Sequence, residues 1–117
     1  MLSIRKEQMQ ALRKVARGRF VNEMMMHLRR QFPEQTMELS GDDLRALVEE
    51  GMNQADEYDV ELRNDIRRYL ECMVVHGRDF DTNEETGWAG RILRDESLSG
   101  TRKMERIADY ETFVLRC

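Results

Sequence analysis

Apolar residues recur along this chain at helical spacing. Leu12, Ala16, Phe20, Met24 and Leu28 fall every four residues, with Met9, Val15, Val21, Met25 and Phe32 beside them. That is a wide apolar stripe, and it predicts one long helix over about 3–32. Gly18 weakens its middle, and Pro33 ends it, because a residue before proline avoids helical geometry. After a polar loop over 34–38, Ser40 is placed to cap a second helix, with Asp42 and Asp43 in the positive first turn. Leu44, Leu47, Val48, Met52 and Ala55 form its face, which fades over Asp56–Asp59.

A third helix is expected from Asp59 or Val60, with Leu62, Ile66, Tyr69, Leu70, Met73 and Val74 as its stripe and Gly77 as its stop. Residues 78–87 read as a solvated acidic loop holding Phe80. Trp88, Ile92 and Leu93 suggest a short fourth helix. Ser97 to Gly100 is a break, and Met104, Ile107, Ala108, Tyr110, Phe113 and Val114 mark a last helix. No alternating strand pattern, internal repeat or low-complexity tract is present. The expected fold is all-α: a single domain over 1–117, about five helices packed as an irregular bundle on the N-terminal helix.

Composition supports this picture. There is 1 proline among 117 residues, with 7 glycines, 9 methionines and 7% aromatic residues, a mixture that favours helix over strand. Charged residues make up 36%, more than a typical globular chain carries. A chain of this length buries a core without disulfide or metal staples. No apolar run approaches the roughly 18 residues that span a bilayer, and the start of the chain has no apolar stretch of secretory-leader type. Cys72 and Cys117 do not make a disulfide framework. The expectation is a cytoplasmic protein with no membrane segment.

Charge is split along the chain. Residues 1–30 hold 8 basic side chains (Arg5, Lys6, Arg13, Lys14, Arg17, Arg19, Arg29 and Arg30) against Glu7 and Glu23, so about +6. The whole chain is −4, which leaves about −10 for the rest. Residues 34–65 carry 11 acids against Arg45 and Arg63. The basic helix is therefore expected to lie on this acidic stretch, or to face solvent or an acidic partner. Nucleic acid is not expected as a partner. The chain is acidic overall, and aromatics do not interleave with its basic residues.

Four arrangements are candidates for chemistry or binding. Asp79, Asp81 and Asn83 alternate like the first three ligands of an EF-hand loop. Glu84 then stands where a turn glycine belongs, and Gly90 where a bidentate glutamate belongs. No metal and no cofactor are expected. Cys72 and His76 are four apart and share a helix face, but two ligands are too few for zinc, and a nucleophile pair needs an orienting third group. Met24, Met25 and Met26 are consecutive and spread around the helix, so at least one lies off the core stripe, where methionine makes an adaptable contact. Trp88 follows an acidic loop and is either a core plug or a partner anchor. The candidate partner-binding residues are Met25, Met26, Phe80 and Trp88, and no catalytic residue is expected.

One stretch resembles a family. Phe32-Pro33-Glu34, Gly51-Met52 with Ala55 and Tyr58, Asp65-Ile66-Arg67-Arg68-Tyr69-Leu70, then Met73, Gly77, Phe80-Asp81 and Trp88-Ala89 with Ile92-Leu93 are similar to small helical proteins encoded beside effector, PAAR-spike and adaptor genes in type VI secretion clusters of Gram-negative bacteria. The resemblance covers about residues 20–95. Gly87 stands where that pattern often has a proline. What the resemblance implies is an accessory role, a co-chaperone or adaptor that helps load an effector, with no catalytic residues. The sequence thus reads as a non-enzymatic protein-binding module. The alternative is an immunity protein whose acidic residues over 34–65 and 79–85 cover the basic active site of a toxin. A small enzyme ranks third, for want of any gathered titratable groups.

Overall fold

The computed structural model describes the backbone of residues 6–115 and the side chains of residues 16–115. Met9, Leu12 and Val15 of the expected stripe, the basic side chains of Arg5, Lys6, Arg13 and Lys14, and Cys117 lie outside the described side chains. Among the described residues there is no strand, and the fold is all-α. Five helices of two turns or more form it: α1 (Lys6–Gln31), α3 (Gly41–Glu57), α4 (Arg63–His76), α5 (Gly87–Leu93) and α6 (Gly100–Tyr110), with a single-turn α2 (Pro33–Thr36) after the first.

In α1, Phe20, Val21, Met24 and Leu28 are buried, whereas Ala16, expected in the same stripe, is exposed. Pro33 does not open a loop. It starts α2, where its missing N–H is harmless and its fixed φ suits a first helical position. Thr36 is fully buried and donates its hydroxyl to the Phe32 carbonyl at 2.8 Å. Arg29 reaches from α1 to the carbonyls of Thr36 and Leu39, a cation on carbonyls that no helix bond satisfies.

Helix α3 starts as expected: the Ser40 hydroxyl accepts the Asp43 N–H at 3.1 Å. It packs on α4 through Gly51, where an added Cβ would stand 2.4 Å from Leu70 Cδ2 and 2.6 Å from Met73 Sδ. It ends when the N–H groups of Tyr58 and Val60 both bond the Ala55 carbonyl, with Asp59 at φ +64°. This closing turn shifts the next helix. Val60 is buried in the link and does not begin α4; Leu62 is its extended N-cap, and Leu62, expected in the stripe, is 63% exposed. Gly77, at φ +112°, stops α4 with its N–H on the Met73 carbonyl, a conformation glycine adopts without Cβ strain.

The acidic loop is not uniformly solvated. Phe80 is fully buried, with its ring 5.0 Å from that of Tyr69. Asp81 is also buried and accepts the Tyr58 hydroxyl at 2.8 Å, while Arg94 donates to the Asp81 carbonyl at 2.7 Å. Helix α6 opens at Ser99, whose hydroxyl accepts the Arg102 N–H at 3.2 Å, and buries Met104 and Ile107. Its Lys103 is buried too and donates Nζ to the Tyr58 carbonyl at 2.8 Å. Beyond Tyr110 the backbone widens into a π-type turn over Glu111–Leu115. The wider turn, with i→i+5 bonds, takes later side chains out of register with the α-helical face, and Phe113 and Val114, expected in the core stripe, are exposed at 69% and 51%. One connected core runs from α1 through α3 and α4 to Phe80, α5 and α6.

Candidate protein-binding surface

Trp88 is the second residue of α5, set there by the short turn of Glu84–Thr86 that the Asn83 side chain caps. It is half-buried. One face of its indole stacks on Tyr110, with centroids 4.4 Å apart and planes within 7°. His76 meets it edge-on at 5.4 Å. The His76 ring nitrogen Nε2 is 2.8 Å from Glu111 Oε2, so the end of α4, the start of α5 and the end of α6 converge on one aromatic cluster. Beside it lies an open depression of about 510 Å³, lined by apolar Trp88, Ile92, Tyr110, Phe113 and Val114 and by charged Arg91, Arg106 and Asp109.

The other expected contacts lie elsewhere. Met26 is 62% exposed, and Met25 is half-buried against the core. Together with Arg29 and Arg30 they line a separate depression that shares no residue with the Trp88 one. Phe80 has to be withdrawn as a partner contact. Packed in the core with no exposed surface, it cannot touch another protein. Trp88 is partly buried against the core and also lines the depression.

A more enclosed cavity of about 330 Å³ separates α4 from α6, lined by apolar Phe32, Val75, Met104 and Ile107 together with Cys72, Glu71 and Glu111. Both histidines flank it through these glutamates, since His27 Nε2 is 2.7 Å from Glu71 Oε2. Burial pushes the Cys72 thiol well above its ordinary range, and the charges of Glu111 and Glu71 add to the effect. A thiol held protonated in this way is a poor nucleophile, and the partner of His76 is Glu111. Burial likewise raises Tyr69, and it raises Tyr58 together with the hydrogen bond to Asp81. Asp81 turns to Tyr58, and Asp79 accepts Asn83 Nδ2 at 3.4 Å, so the EF-hand-like residues are engaged with the protein itself. Among the described residues no three His, Cys, Asp or Glu side chains gather as a metal site would require, and no helix is long and apolar enough to cross a membrane.

Of the arrangements expected for the charged faces, pairing of α1 with the 34–65 stretch is sparse among the described residues. Of the 11 acids over 34–65, all except Asp65 are exposed; Asp65 is buried and accepts the Thr101 hydroxyl at 2.6 Å. Arg17 and Arg45 bond asparagines across the α1–α3 seam, at Asn53 and Asn22. The ion pair that ties α1 to this stretch among the described residues runs the other way, from Arg63 to Glu23. Arg63 also lies over the Phe20 ring, 5.0 Å from its centroid.

Sequence reasoning missed the partners of Trp88 in the depression. Tyr110 was the available signal, an aromatic residue at the end of an amphipathic helix. The outward turn of Phe113 and Val114 had none, because helical periodicity assigns Val114 to the same face as Ile107. No protein-family model, curated protein or solved structure matches the chain.

Proposed function

We propose that this protein is a non-enzymatic protein-binding module acting in the cytoplasm as an accessory chaperone or adaptor for a secreted effector. The observation that carries this reading is the Trp88 depression. Aromatic and aliphatic side chains line an open surface beside an aromatic cluster, together with Arg91, Arg106 and Asp109, and aromatic anchors among polar neighbours are the anatomy of a binding hot spot. The resemblance over residues 20–95 supports an effector of type VI secretion, or its adaptor, as the partner.

Co-expression with an effector encoded beside this protein tests the reading. The effector's soluble yield should rise, and the two should co-elute. Val114→Asp, at an exposed position, should abolish both effects while leaving the helical circular dichroism intact. Unchanged effector solubility with no co-elution overturns the reading.

A second reading is favoured by the exposed acids of the 34–65 stretch, which offer a negative face to a basic active site. An immunity protein of this kind would block the effector's toxicity at nanomolar affinity without changing its solubility, and charge reversal at Asp42 and Asp43 would weaken it more than Val114→Asp.

A further inference from the structure

We infer that the Trp88 depression receives an amphipathic helix of the partner whose apolar side chains are flanked by carboxylates; this rests on the protein-binding reading above. Four features of the surface lead there. The first is chemistry: the lining is apolar at Trp88, Ile92, Tyr110, Phe113 and Val114 and charged at Arg91, Arg106 and Asp109. Two guanidinium groups against one carboxylate make a net positive rim on a chain whose formal charge is −4. Complementary charge at such a rim selects an acidic partner and speeds encounter.

The second feature excludes an added strand. Among the described residues there is no strand, hence no sheet edge for an extended segment to join. The third disfavours a polyproline segment, which needs open aromatic faces to slot between. Trp88 and Tyr110 stack on each other, and the Trp88 ring also meets His76. The rest of the apolar lining is Ile92, Phe113 and Val114, a surface that suits leucine-type side chains at i, i+3, i+4 and i+7. The fourth concerns a second copy. A symmetric contact through this groove would set the Arg91–Arg106 rim against itself, which like charge opposes.

Trp88 is the sole tryptophan, so its fluorescence reports on this groove alone. The probes are two peptides of about 20 residues, long enough to hold helix in isolation. Both carry the same leucine stripe, flanked in one by glutamates and in the other by lysines. The glutamate peptide should shift Trp88 emission saturably, and the lysine peptide should bind at least about tenfold more weakly, the equivalent of about 1.4 kcal/mol. The double variant Arg91→Glu with Arg106→Glu, both exposed positions, should reverse that order while keeping the wild-type circular dichroism.

Equal binding of the two peptides, tighter binding of the lysine peptide, or no saturable shift with either overturns the inference. So does self-association in sedimentation that Val114→Asp removes, since the occupant is then a second copy. Failure here is separable from failure of the function. If the effector is still solubilised by wild-type protein and lost with Val114→Asp, but is indifferent to Arg91 and Arg106, the binding role stands and the acidic helix does not.

Discussion

Gly100 and Gly51 show how one hydrogen atom in place of a methyl group sets a helix position. An alanine Cβ at Gly100 would stand 2.0 Å from the Asp59 carbonyl oxygen and 2.9 Å from Val60 Cα. Those are backbone atoms of the α3–α4 link and cannot step aside. At Gly51 the obstacles are the side chains of Leu70 and Met73, which can change rotamer, and alanine regains helix propensity there. Gly100→Ala should therefore cost about 1–3 kcal/mol by urea unfolding, and Gly51→Ala clearly less. Buried titratable groups make a second prediction. Cys72 is raised above its ordinary value of 9.0, and Tyr58 and Tyr69 above 10.0. In the unfolded chain these groups lose their protons first, so deprotonation favours unfolding. Their contribution is complete below the unfolded values and is lost as pH rises. The urea midpoint should accordingly hold near neutrality and fall above about pH 9, then further above about pH 10. In a Cys117→Ser background the Cys72 thiol should react with a thiol reagent only after unfolding, and Cys72→Ala should remove the first part of the alkaline loss.

At the scale of elements, α1 is the organiser. Phe20, Val21, Met24 and Leu28 sit in the same core as α3 and α4, and Arg63 covers the outer side of the Phe20 ring. Phe20→Ala should cost about 3–5 kcal/mol, measured by chemical denaturation; an unchanged midpoint would show α1 to be detachable. The ion pair Arg63–Glu23 is more than half exposed on both sides, and a pair of that kind adds little, so the apolar stripe and not charge holds α1 in place. Element starts were legible where local chemistry decides them. Ser40 caps α3 with its own hydroxyl, and Gly77 closes α4; the Ser99 cap of α6 falls inside what reads only as a break over Ser97–Gly100. The start of α4 was not, because Val60 is drawn into the core by the closing turn at Asp59, a placement that its neighbours in space make and its neighbours in sequence do not.

At the scale of the whole molecule, one core joins α1, α3, α4, α5 and α6. Trp88 at one edge and helical circular dichroism over the full chain should then report a single, coincident thermal transition; separate midpoints would mean that the α5–α6 edge unfolds by itself. Among the described residues the charge split seen along the chain does not become a basic helix neutralised by an acidic one. The exposed acids of 34–65, with Arg19 and Arg30 of α1, are largely left to solvent or to a partner, so binding to a partner should slow with added salt more than it loosens.

What the sequence determined by itself is the all-α class, the order of the five longer helices and most of the core, since period, capping and stop signals act within a few residues of one another. Phe20, Leu28, Leu44, Val48, Leu70, Met73, Leu93 and Ile107 were all readable from their spacing and are all buried. The tertiary structure alone decided which polar groups go inside and which apolar ones stay out. Asp65, Asp81 and Lys103 are buried because Thr101, Tyr58 and the Tyr58 carbonyl lie opposite them, 23 to 45 residues away in the chain. Phe113 and Val114 face outward because the backbone widens after Tyr110. The Trp88 groove is of the same kind. A hydrogen bond or ring contact between distant residues depends on where two helices come to rest, and that is fixed by packing of the whole core and by no single stretch of sequence.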